Sequence, residues 1–87
     1  MKWELAFSRQ ALKDAKKAKA AGLKPKLEEL LAILQIDPFH NPPSFEKLVG
    51  DLAGACSRRV NIHNRLIYEV FSEEHVVRVL RMWTHYE

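Results

Sequence analysis

Apolar residues follow two rhythms along this chain, and the change between them divides it into a helical half and a strand-forming half. Trp3, Leu5 and Phe7 alternate with other residues at the start, the period-two signature of a short strand over residues 2–7. Ser8 then stands where a helix N-cap belongs, with Phe7 and Leu12 at the two positions of a hydrophobic staple. Ala11, Leu12, Ala15, Ala18 and Ala21 carry a helical stripe up to Gly22, which predicts a first helix over residues 9–21. Pro25 suits the first turn of a second helix, in which Leu27, Leu30, Leu31 and Leu34 repeat at helical spacing and are expected in the core. Pro38 disfavours helical geometry at Asp37 and should end that helix, leaving Phe39 to Ser44 as a loop.

From Phe45 onward the rhythm becomes that of strands. Turn signals fall at Gly50-Asp51, Gly54, His63-Asn64 and Ser72-Glu73-Glu74, and they bound candidate strands at Glu46 to Val49, Cys56 to Ile62, Arg65 to Phe71 and Val76 to His85. Short connections between the last three favour an antiparallel meander with both helices packed on one face. The expected class is α+β: an N-terminal strand and a two-helix hairpin on a mostly antiparallel sheet, as a single domain over residues 1–87. No internal repeat, low-complexity tract or linker interrupts it.

Composition narrows the function without naming it. With 47% apolar and 29% charged residues the chain reads as an ordinary soluble globular domain, and its net charge of +3 is compatible with an anionic partner without requiring one. A domain of this length buries only roughly 60% of the surface its unfolded chain exposes, so a second chain would add much to its stability. The lone Cys56 has no internal disulfide partner, and no apolar run reaches the length of a signal-peptide core or a membrane span, which makes a cytoplasmic location the default expectation.

Several chemistries lack their usual signals. His40, His63, His75, His85 and Cys56 show no recurring metal-ligand spacing and no cysteine-protease signature, and Gly22, Gly50 and Gly54 are isolated, so no metal, nucleotide loop or other cofactor is expected. The first helix carries Arg9, Lys13, Lys16, Lys17 and Lys19 with little competing acid apart from Asp14. Such a run is most often a solvated helix face; against RNA it would steepen the salt dependence of binding.

The stretch Phe45 to Gly54, then Ser57-Arg58-Arg59, then Asn64-Arg65-Leu66-Ile67-Tyr68, and finally His85-Tyr86 form one ordered pattern. It resembles the YoeB/Txe family of bacterial toxins within the RelE superfamily, most closely over residues 38–87. The resemblance implies a RelE or microbial-RNase-like fold that enters the ribosomal A site, cuts messenger RNA during translation and is neutralised by a cognate antitoxin of the YefM or Axe kind. Operator DNA would be reached only through that antitoxin, and a homodimer is a further implied possibility. Carried over residue by residue, Glu46 is the general base, Arg65 stabilises the phosphate in the transition state, His85 is the general acid with Tyr86 beside it, and Arg59 supports phosphate binding. Some members carry a lysine where this chain has Val49, so Lys47 is the lysine left to meet the substrate; Glu87 follows the tyrosine at which the family usually stops.

The residue types suit that chemistry. Metal-free RNA cleavage must remove a 2′-hydroxyl proton, spread charge on the pentacoordinate phosphorus and protonate the departing 5′-oxygen, and a glutamate, arginines and a histidine answer those needs in turn. Tyr86 falls on the opposite side of an ideal strand from His85 and can instead stack on a base. Arg58, Arg78 and Arg81 are expected to be solvated or to face ribosomal RNA. Two rivals stand beside the nuclease: a binder that blocks translation without cutting, and an antitoxin-binding co-regulator of transcription.

Overall fold

The computed structural model describes residues 2–42, 44–48 and 54–84. Their elements follow in the order β1 (Glu4–Phe7), α1 (Arg9–Ala20), α2 (Lys24–Ile36), β2 (Phe45–Lys47), β3 (Ala55–Arg59), β4 (Arg65–Phe71) and β5 (Val76–Thr84). The strands form one sheet in the order β1-β5-β4-β3-β2, antiparallel except that β1 runs parallel to β5.

Local chemistry sets most of the boundaries. Ser8 caps α1, its hydroxyl accepting from the Ala11 N–H at 3.0 Å and donating to the Leu80 carbonyl at 2.7 Å, so one side chain starts the helix and ties it to β5. At the other end of α1, Gly22 adopts φ +79°, and the bonds Gly22 N–H to Lys19 and Leu23 N–H to Ala18 close a Schellman turn. α2 ends at Ile36 before Asp37, whose carboxylate accepts from the Phe39 N–H at 2.9 Å and starts the turn into the loop. β3 stops at Arg59, short of the expected Ile62. There the Asn61 side chain accepts from the N–H groups of His63 and Asn64, at 2.9 and 2.7 Å, and folds the chain into a turn.

Both helices pack on one face of the sheet, and the main core lies between. Ala11, Ala18, Leu27, Leu30 and Leu34 meet Cys56, Leu66, Tyr68, Val77, Val79 and Met82 there, with Leu31 partly buried at the margin. A smaller cluster of Leu48, Ala55 and Ile67, with Leu80 against it, holds the opposite face. Trp3 stacks on His75 at 3.9 Å between ring centroids, where the turn into β5 meets the start of β1. The expected turn at Gly50-Asp51 and strand end at Val49 lie outside the described residues, as do His85, Tyr86 and Glu87. None of the described helices is long and apolar enough to cross a membrane.

Candidate active site

Residues paired across neighbouring antiparallel strands share a face of the sheet, and so do residues two apart on one strand. Glu46 of β2 pairs with Ser57 of β3, and Arg59 of β3 pairs with Arg65 of β4. The result is one polar group, Glu46, Ser57, Arg59 and Arg65, on the side turned away from the helices. With Ser44 these residues line a cavity of about 230 Å³.

Arg65 is the centre of the group. Its Nη1 donates to Ser57 Oγ at 3.3 Å and stands 4.0 Å from Glu46 Oε2. The Arg65 side chain is 21% exposed and that of Glu46 69%, so the guanidinium is held against the sheet while the carboxylate is largely in water. An ion pair this open contributes only about 0–1 kcal/mol, and an arriving anion displaces it at little cost. The arrangement offers a proton acceptor facing two planar cations, each able to grip a phosphate with paired hydrogen bonds.

The other sequence candidates are placed less centrally. Lys47 is exposed, pairs with Cys56 and so alternates to the opposite side of β2 from Glu46; it does not line the cavity. His85 and Tyr86 lie beyond the described residues, but β5 is described as far as Thr84, whose register partner is Arg65. Ser57, given no role from sequence, is almost fully buried within the group. Its signal was the parity it shares with Arg59.

Two arginines depart from expectation. Arg58 is neither solvated nor RNA-facing: it is 0% exposed. Its Nε donates to the Tyr68 hydroxyl at 3.1 Å, and its Nη2 to the carbonyls of Pro38 and His40 at 3.0 and 2.9 Å. Its guanidinium also lies 4.9 Å from the Phe45 ring centroid. The Tyr68 hydroxyl donates in turn to the Pro38 carbonyl at 3.0 Å, and burial pushes its pKa up to about 12. Arg58 thus fastens to the sheet the loop that delivers β2 and Glu46.

Arg81 is likewise engaged, its Nε donating to the fully buried Asp14 carboxylate at 2.7 Å. β5 carries two more residues than β4 between the Arg65–Thr84 and Tyr68–Val79 pairs, and Arg81 lies within that irregular stretch. Burial pushes the Asp14 carboxyl upward, but hydrogen bonds from Arg81, Gln10 and the Met82 N–H, with the Arg81 charge, hold it below the usual carboxylate value. Asp14 therefore belongs to the interior and does not offset the lysines outside. Arg78 is exposed, as the sequence suggested.

A larger cavity of about 330 Å³ lies between the helices on the other side of the sheet, lined by Phe7, Leu12, Leu27, Leu31 and Met82 with Lys16, Lys19 and Lys24 among its walls. Its lining is mainly apolar, with Glu28 beside those lysines. Cys56 is buried, and burial pushes its thiol above the ordinary value, which makes it a core residue and a poor nucleophile. Among the described residues no three His, Cys, Asp or Glu side chains gather as a metal site would require.

Comparison with known proteins gives the family and the fold. The family model for YoeB-like toxins of bacterial type II toxin-antitoxin systems matches residues 7–86. The chain belongs to that family. Among solved structures it is similar to a YoeB/ParE toxin from Agrobacterium tumefaciens, with a TM-score of 0.85 and 26% identity over 95% of this chain and 99% of the other. It is also similar to the Staphylococcus aureus YoeB dimer, TM-score 0.82 and 28% identity over 99% of this chain and 100% of that one. A heterotetrameric YoeB-YefM toxin-antitoxin complex from the same organism gives 0.80 and 28% over the same shares. No curated protein sequence matches. The α+β class and the mostly antiparallel sheet with its helical hairpin are those of the YoeB and RelE fold.

Proposed function

We propose that this YoeB-like toxin is a metal-independent, ribosome-dependent endoribonuclease that cleaves messenger RNA in the ribosomal A site. The observation that carries the reading is the convergence of Glu46, Arg59 and Arg65 on one small open cavity away from the helices. Glu46 takes the proton from the 2′-hydroxyl, whose oxygen attacks the adjacent phosphorus. Arg65 and Arg59 hold the phosphate and share the charge that builds on its oxygens. His85 gives a proton to the departing 5′-oxygen, with Tyr86 orienting the substrate. The products are a 2′,3′-cyclic phosphate and a 5′-hydroxyl end, and DNA, which lacks the attacking group, stays intact.

The ribosome enters through the family and through α1, on which Arg9, Lys13, Lys16, Lys17 and Lys19 are all exposed. A cognate antitoxin is the proposed protein partner, by likeness to the relative crystallised with YefM, and self-association follows the relative crystallised as a dimer.

Primer extension on a defined message, in a reconstituted translation system with and without ribosomes, tests the proposal. Site-specific breaks should need ribosomes and vanish in Glu46→Gln and His85→Ala. Arrested translation with intact message would instead make the protein a binder.

A further inference from the structure

Ser57 occupies a position that the catalytic reading leaves unexplained. It is a hydroxyl with 1% exposure, directly opposite Glu46 in the register, and its oxygen accepts from Arg65 Nη1 at 3.3 Å. The guanidinium so engaged stops 4.0 Å from the Glu46 carboxylate. Guanidinium and carboxylate left to themselves close to about 2.8 Å, commonly through two parallel hydrogen bonds. A closed pair would use up both groups: the carboxylate would become a weaker base, and the arginine fork would be turned away from an incoming phosphate.

We propose that Ser57 is a positioning residue that holds Arg65 off Glu46 and so keeps the base and the phosphate-binding cation separately available. This rests on the nuclease reading for its consequence, but the positioning itself is a property of the resting protein. The hydroxyl can do this because Ser57 sits on the middle strand of the three and its side chain is fixed by burial between the other two. Among the described residues, the charged groups that line the cavity with Glu46 are Arg65 of β4 and Arg59 of β3.

The direct test is the crystal structure of the intact wild-type protein, Ser57→Ala and Ser57→Thr, with thermal unfolding recorded for each. Ser57→Ala should let Arg65 close on Glu46 to a hydrogen-bonded pair at about 2.8 Å. Ser57→Thr, which keeps the oxygen, should keep the wild-type separation. In single-turnover cleavage on ribosomes, Ser57→Ala should lower the rate constant about tenfold with ribosome affinity unchanged, and Ser57→Thr should restore the rate. An Arg65–Glu46 separation unchanged from wild type in a folded Ser57→Ala protein overturns the inference. So does a Ser57→Thr variant that matches Ser57→Ala. If the pair closes but wild type never cuts RNA, the positioning stands and the nuclease reading falls.

Discussion

Arg58 and Arg59 are neighbours on one strand, yet the sheet sends them into opposite lives. On the helix-covered side Arg58 is sealed from water, with two loop carbonyls and the Tyr68 hydroxyl around its guanidinium. On the far side Arg59 is exposed and, with Arg65 and Glu46, lines an open cavity. The same side chain is structural where its donors are taken up by the protein and available for chemistry where they face solvent. An arginine-rich motif is therefore two statements, and the alternation of the strand says which residue makes which.

The sharpest way to break this comparison is at Arg58. Arg58→Ala leaves the carbonyls of Pro38 and His40 without that donor and opens a void, and should cost about 4 kcal/mol of folding stability in denaturant unfolding. Arg59→Ala, by contrast, should change stability by less than about 0.5 kcal/mol, as exposed substitutions do. A pair of variants with equal unfolding midpoints would erase the distinction.

Asp14 extends the structural side of the comparison. Asp14→Asn keeps an acceptor for the Met82 N–H but removes the charge facing Arg81, and should cost about 2 kcal/mol near neutral pH. Because the folded carboxyl titrates below its ordinary value of 3.8, its contribution is full above about pH 4 and lost as pH falls through the folded value. The stability gap between wild type and Asp14→Asn should thus be flat at neutral pH and close below about pH 4. A gap that widens in acid would contradict the pairing. A smaller effect on function is expected on the open side, where Arg59→Ala should slow message cleavage about tenfold, the share of a supporting phosphate contact.

Much of this was legible in the sequence because it depends on neighbours along the chain. Ser8 as a cap, Pro25 in the first turn, the leucine stripe of α2 and the stop before Pro38 all follow from local rules, and each appears in the structure. Period-two alternation also carried information that the motif reading passed over. Cys56 and Arg58 share a parity, as do Ser57 and Arg59, so a core-facing Cys56 already implied an inward Arg58. The same rule set Lys47 on the opposite side from Glu46. Arg58 was missed because arginine is rarely buried without partners, and its partners, Pro38, His40 and Tyr68, come from distant parts of the chain. Asp14 was missed for a like reason. It lies three residues after Ala11 and four before Ala18, within the buried stripe, but Arg81 is brought to it only by the irregular pairing of β5 with β4.

The central claim is that the uncovered side of the sheet is built for phosphodiester cleavage while the arginines on the helix side hold the fold. It is tested most directly by the rate of ribosome-dependent message cleavage by Arg65→Ala, measured beside its thermal unfolding midpoint. The account predicts a loss of about 100-fold or more with the midpoint close to that of wild type, as for removal of a transition-state charge donor. Cleavage at the wild-type rate by a folded Arg65→Ala protein would contradict it.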